Sequence, residues 1–295
     1  MEYIIETNKL TKTFPGKIAV NKIDMHVKRG DIYGFIGKNG AGKTTAMKLI
    51  LGLLNPTSGG IKIFNNENLN SSRYKIGSLI ESPGLYKNFS AYENLKRFSI
   101  LYGGTEEDIN ELLKLVNLEN VGNKPVRAFS FGMKQRLGIA IALLGNLEIL
   151  ILDEPINGLD PSGIKDLRDL ILKLNKEKQI TFIISSHILD ELSKIATRYG
   201  IINNGILVEE ISSEELTNRY LKYMKLNVSD VNKTISILQE QNLLDKYETK
   251  ENNIFLYNNF DKSGLINTLL VNNNIIVNEI SFKENNLEDY FVERI

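Results

Sequence analysis

Apolar and polar positions change period several times along this chain. Residues 1–33 alternate in short runs, Tyr3–Glu6, Ala19–Met25 and Asp31–Phe35, with a Pro15-Gly16 turn between the first two; this predicts an antiparallel β layer. Other runs are almost wholly apolar: Ile32, Tyr33, Phe35 and Ile36, then Ile149–Leu152, then Thr181–Ser185. Such runs suit strands buried on both faces, as in a parallel sheet. Helical spacing appears at Met47, Ile50, Leu51 and Leu54, predicting a helix over Ala46–Leu54, and again at Ile109, Leu112, Leu113 and Val116. Ile61–Phe64 follows the stop Asn55-Pro56-Thr57-Ser58-Gly59-Gly60 as a strand, and Ile76–Ile80 reads as another. Residues of about 88–146 read as a helical insertion, opened by the capping-box sequence Ser90-Ala91-Tyr92-Glu93.

The pattern predicts an α/β fold, with a mixed β core containing a parallel sheet, an antiparallel β layer and a helical insertion. After about residue 210 it becomes that of a small α+β domain. Strands are expected at Tyr223–Val228, Ile254–Tyr257 and Ile275–Phe282, and helices at Val231–Gln241, Lys262–Asn272 and Leu287–Glu293. The domains are therefore 1–210 and 211–295.

Between the first buried strand and the first helix lies Gly37-Lys38-Asn39-Gly40-Ala41-Gly42-Lys43-Thr44-Thr45, which fits the phosphate-loop pattern G-x-x-x-x-G-K-[ST]. A triphosphate is wrapped only when backbone N–H groups converge on its oxygens, and glycines at 37, 40 and 42 permit that approach. The following helix N-terminus adds a favourable field. Lys43 would reach the β- and γ-phosphates, and the Thr44 hydroxyl would ligate Mg²⁺. At the carboxyl end of Ile149–Leu152 stand Asp153, placed to hold Mg²⁺ directly or through water, and Glu154, placed to polarise the attacking water. His187 follows Thr181–Ser185 where a γ-phosphate sensor would sit. Phe14 is an aromatic that could stack on adenine or simply pack. Ser130 opens a helix as a cap. His26 has no assigned role.

Composition narrows the field. Formal net charge is zero, so no global field points to nucleic acid or anionic lipid, and the absence of cysteine excludes a disulfide framework, a thiolate metal site and a cysteine nucleophile. That fits a reducing cytoplasm. The most apolar region, Ile139–Leu152, is interrupted by Asn146 and Glu148 and falls short of the ~20 apolar residues that span a bilayer. No signal-peptide plan opens the chain. Any membrane part must come from another chain.

The motifs in order, namely the phosphate loop, Ser130-Phe131-Gly132 at a helix start, Ile149–Pro155, Gly158-Leu159-Asp160-Pro161 and Ser185-Ser186-His187, resemble the ATP-binding subunit of an ABC transporter over about residues 3–210. The resemblance implies that Phe14 is the adenine-stacking aromatic and that Gly37 to Thr45 is Walker A. Asp153 and Glu154 become the Walker B aspartate and catalytic glutamate. Ser130 and Gly132 match the signature motif, Asp160 the D-loop, and His187 the switch histidine. It implies ATP and Mg²⁺ as cofactors and two ATP held between head-to-tail subunits, with Ser130 facing the phosphate on the partner's Lys43. It also implies separate transmembrane permease subunits that draw the protein to the inner face of the bacterial membrane.

Two departures stand out. The signature is Phe129-Ser130-Phe131-Gly132-Met133 where the family has L-S-G-G-Q, and the position of the Q-loop glutamine carries Glu81, which could still ligate Mg²⁺. That glutamate, the wording S-x-G-M-K-Q-R-L-G-I-A and an accessory C-terminal domain resemble the bacitracin- and lantibiotic-resistance branch. The alternatives are an ABC ATPase exporting another substrate, a binding or regulatory module whose hydrolysis is incidental, and a soluble ABC ATPase acting on ribosomes, DNA or cofactor assembly, although the ribosome type would need two ATPase modules and the DNA type a long coiled coil.

Overall fold

The computed structural model describes residues 3–102, 104–216, 222–284 and 290–291. The chain divides into two compact units, Met1–Ile211 with the last two residues, and Ser212–Glu293.

In the first unit the chain runs β1 (Tyr3–Phe14), β2 (Lys17–Ile23), β3 (His26–Lys28), β4 (Ile32–Ile36), α1 (Lys43–Ile50), β5 (Ser58–Ile63), α2 (Leu69–Arg73) and β6 (Ile76–Leu79). Then come α3 (Ala91–Tyr102), α4 (Glu106–Leu115), α5 (Phe131–Ala142), β7 (Ile149–Leu152), α6 (Pro161–Lys178), β8 (Thr181–Ser186), α7 (Leu189–Ser193), β9 (Arg198–Asn203) and β10 (Ile206–Ser212). The expected antiparallel layer forms from β1, β2, β3 and β5. A second sheet has the order β10-β9-β4-β8-β7-β6, and its pairs β9/β4, β4/β8, β8/β7 and β7/β6 are parallel.

Every residue of β4, β7 and β8 is buried, which is why their sequences do not alternate. Met47 and Ile50 of α1 pack with Phe35, Ile151 and Ile183 in one core cluster, so the phosphate-loop helix is anchored on the strands that carry the acidic pair. The stretch between β6 and β7 is helical. Its α3 starts with reciprocal Ser90–Glu93 hydrogen bonds, and α4 starts with a Thr105–Asp108 capping box.

The structure differs from expectation at several boundaries. Helix α1 ends at Ile50, before Leu54, because the chain turns at Gly52 with φ +75°. The supposed stop before Ile61 is partly strand, since β5 begins at Ser58. At Gly59, with φ +84°, a Cβ would lie 2.3 Å from the Lys9 carbonyl oxygen, so glycine is there for close strand approach. Strands β9 and β10, unanticipated from sequence, complete one edge of the parallel sheet. Gly200 on β9 lies under the Tyr33 ring, where a Cβ would come within 2.0 Å of the phenol oxygen.

The second unit runs α8 (Ser213–Leu216), β11 (Lys222–Val228), α9 (Val231–Glu240), β12 (Tyr247–Lys250), β13 (Asn253–Leu256), α10 (Ser263–Asn272) and β14 (Val277–Glu284). Its strands pair antiparallel in the order β12-β13-β11-β14, the βαββαβ arrangement of ferredoxin-like folds. Met224, Leu226, Ile254 and Leu256 point to one face and bury against Leu238, Ile266 and Leu270 of the helices. The helix expected at Leu287–Glu293 lies outside the described residues apart from Tyr290 and Phe291.

Candidate functional site

The loop from β4 to α1 is shaped by glycine. Gly42 caps α1 with φ +114°, and a Cβ there would meet the Ala19 carbonyl oxygen at 2.4 Å; at Gly37 it would meet that of Ile202 at the same distance. No side chain can enter these positions without moving backbone. The first turn of α1 carries no acidic residue, leaving its N–H groups and helix field to an anion. Gly40, Ala41, Lys38, Asn39 and Thr45 complete this segment.

Lys43 is 5 % exposed, and its ammonium donates to Gly37 O at 2.6 Å and to Lys38 O at 3.3 Å. It also lies 3.2 Å from Glu154 Oε1, an ion-pair separation without hydrogen-bond geometry, so that buried carboxylate oxygen has no hydrogen-bond donor. The Thr44 hydroxyl donates to Asp153 Oδ2 at 2.6 Å. Ser185 donates to Asp153 Oδ1 at 2.5 Å and accepts the Glu154 N–H at 2.8 Å.

Sheet register explains the last contact. Leu152 pairs with Ile184 across parallel β7 and β8, so the next residues, Asp153 and Ser185, emerge side by side at the carboxyl end. Glu154 then takes φ +49°, unfavourable for a residue with a Cβ, and this turns its carboxylate back to Lys43 and His187. His187 Nδ1 lies 2.8 Å from Glu154 Oε2, and Asn157 Nδ2 donates to the same oxygen at 3.3 Å.

One group therefore forms from Lys43, Thr44, Asp153, Glu154 and His187. Ser185 and Asn157, which the sequence reading missed, belong to it. The signal for Ser185 is a polar residue ending an apolar strand. Ser185→Ala leaves a buried carboxylate oxygen and a buried N–H short of a partner, at a cost of about 1–3 kcal/mol. We expect a lower thermal unfolding midpoint and slower ATP turnover, measured by calorimetry and phosphate release.

Ser130, Gly132 and Asp160 form a second group. Ser130 caps α5, accepting the Met133 N–H at 3.2 Å, and Asp160 caps α6, accepting from Ser162 Oγ at 2.8 Å and Gly163 N at 3.3 Å. The Ser162 hydroxyl, with the Gly163 N–H, holds the Asp160 carboxyl below the usual range. The two helix starts share a cavity of about 270 Å³ lined by Ser130, Gly132, Gln135, Leu159 and Asp160. Among the described residues no hydrogen bond or ion pair joins this group to the first.

Two other residues stand apart. Phe14, at the end of β1, is 40 % exposed with the Lys12 ammonium 5.2 Å from its ring centroid. Glu81, with φ +65°, is exposed and takes a 2.7 Å bond from Lys48 of α1, whose ammonium holds its carboxyl below the usual range. It is thus engaged by Lys48 rather than by Thr44 or Asp153. No group of three or more His, Cys, Asp or Glu side chains among the described residues is placed to hold a metal.

Residues 20–157 match the family model described as ABC transporter. The chain is 45 % identical over 300 residues to the bacitracin transport ATP-binding protein BcrA of Bacillus licheniformis, covering 100 % of this chain and 98 % of that protein. It is 43 % identical over 228 residues to the lantibiotic transport ATP-binding protein SrtF of Streptococcus pyogenes, covering 75 % and 99 %. A dimeric post-hydrolysis structure of the ATP-binding cassette MJ0796 bound to ADP and Pi matches with a TM-score of 0.65 and 26 % identity, covering 71 % of this chain and 98 % of that one. With a phosphate loop seated against a carboxylate pair and relatives that match from end to end, the chain belongs to the ABC transporter family as an ATP-binding and ATP-hydrolysing subunit.

Proposed function

We propose that this ATPase powers export of, or immunity to, a peptide antibiotic of the bacitracin or lantibiotic kind, through a separate membrane permease. The observation that carries this reading is the identity with BcrA, which covers 100 % of this chain and 98 % of that protein, against 75 % of this chain for SrtF. No helix among the described residues is long and apolar enough to cross a membrane, which supports a permease supplied by other chains. The protein would then work in the cytoplasm, peripheral to the inner face of the cell membrane.

The side chains suit ATP hydrolysis. The Lys43 ammonium already binds three oxygens, and phosphate oxygens entering the loop would compete for the same donors. The Glu154 oxygen that lacks a donor is the group that would take a proton from the attacking water. His187 orients it through the other oxygen. Thr44 and Asp153 would hold Mg²⁺, a cation usually bound through one or two protein groups plus waters and phosphate oxygens, and their 2.6 Å contact fits that pairing. Held by Thr44 and Asp153, such a cation would supply positive charge to offset that of the phosphates. Ser130 and Asp160 form a separate group, which supports completion of each ATP site by a second copy arranged head to tail.

The test is the growth-inhibiting concentration of bacitracin and a lantibiotic panel against the native host lacking this gene. Selective sensitisation, rescued by the wild-type gene and not by Glu154→Gln, is expected. Unchanged sensitivity across the panel would overturn the peptide assignment.

A further inference from the structure

The third residue of the signature is where this chain puts a phenylalanine in place of a small residue, and the structure gives the ring a contact. Phe131, at the start of α5, is 52 % exposed, yet one side of its ring lies on the turn between β7 and α6. At Gly158, with φ +75°, a Cβ would meet Phe131 Cε1 at 3.3 Å and Cδ1 at 3.5 Å. The next residues repeat the contact, for a Cβ on Gly132 would lie 3.3 Å from Leu159 Cδ2. The turn therefore rests along the signature helix start at two successive positions. It is also tied inward: Asn157, immediately before Gly158, donates through its side chain to Glu154 Oε2 at 3.3 Å and through its N–H to Glu154 O at 3.2 Å.

We propose that Phe131 is a positioning residue for hydrolysis, bracing the turn at Gly158 so that Asn157 holds the Glu154 carboxylate in its working orientation. The contact lies within one chain. It links Ser130, which caps the same helix start, to the carboxylate that serves the chain's own ATP. An aromatic ring suits the task because it is broad, has few rotamers and fills the space against a residue without a side chain. The glycine opposite it completes the fit, since a side chain at that φ would be strained and would displace the ring. Losing the brace would leave ATP binding intact and let the carboxylate wander, which weakens proton abstraction without changing the phosphate loop. The inference rests on the reading of Glu154 as the base.

The experiment measures kcat and KM for ATP on the full chain for Phe131→Ala, Phe131→Tyr, Asn157→Ala and the double variant, with Glu154→Gln alongside. Phe131→Ala should lower kcat by about three- to tenfold, the effect of one lost orienting hydrogen bond, with KM unchanged. Phe131→Tyr should restore the rate. The double variant should be no slower than Asn157→Ala alone, because both act through one link. A raised KM with unchanged kcat would place Phe131 on the nucleotide and overturn the proposal, as would strictly multiplicative losses in the double variant. If Phe131→Ala turns over at the wild-type rate while Glu154→Gln is inactive, the brace is wrong and the base assignment stands. If Glu154→Gln retains the wild-type rate, the base assignment fails and the route through it fails too.

Discussion

Lys43→Ala is expected to lose ATP turnover by roughly 10³-fold, on the scale measured when one preorganised donor to a transition-state charge is removed. Nothing nearby can replace it. The ammonium is buried and fixed by the Gly37 and Lys38 carbonyls at the base of the loop, whereas the loop's other cation, the Lys38 side chain, is exposed to solvent. The substitution should also spare the fold, because Lys43 sits on the first turn of a helix whose anchoring residues are Ala46, Met47, Leu49 and Ile50. Deleting it also removes the cation beside Glu154. A steady-state phosphate-release assay, paired with a thermal melt, separates these effects: a protein that still melts cooperatively, at a somewhat lower midpoint because the buried Glu154 oxygen loses its cation, with turnover down by roughly 10³-fold, is the expected result.

Glu154→Gln should bind ATP and hydrolyse it about 10²–10⁴-fold more slowly, the usual contribution of a positioned general base. The amide keeps the shape that accepts from His187 and Asn157, so binding and local geometry survive, but it cannot take a proton. The strained backbone at φ +49° supports the same conclusion, since the fold tolerates that conformation to bring the carboxylate beside Lys43. Equilibrium ATP binding and single-turnover hydrolysis distinguish a lost base from a lost site.

Much of this site was legible in the sequence because phosphate binding restricts residue type at fixed spacing. Gly37 and Gly42 had to be glycine for reasons the structure makes geometric, namely carbonyl oxygens 2.4 Å from any Cβ. The apolar runs of β4, β7 and β8 were equally clear, since strands buried on both faces leave no polar position to confuse the reading. Less legible was anything that depends on which strands are neighbours. Ser185 became visible as a partner of Asp153 only once β7 was paired with β8. Strand β9 escaped because Arg198-Tyr199-Gly200 opens with a charged residue and a glycine, and its glycine answers to the Tyr33 ring 167 positions earlier in the chain. Glu81 is offered as an Mg²⁺ ligand by its match to the Q-loop position, and its bond from Lys48, on a helix 33 residues away, is one that no local pattern announces.

Head-to-tail pairing of two half-sites, one from each chain, is tested most directly by the mass and nucleotide content of Glu154→Gln in ATP and Mg²⁺. A two-chain species holding two unhydrolysed ATP, absent for Glu154→Gln carrying Lys43→Ala as well, is the predicted result. A single-chain species that hydrolyses ATP at the wild-type rate would contradict both the base and the head-to-tail pairing.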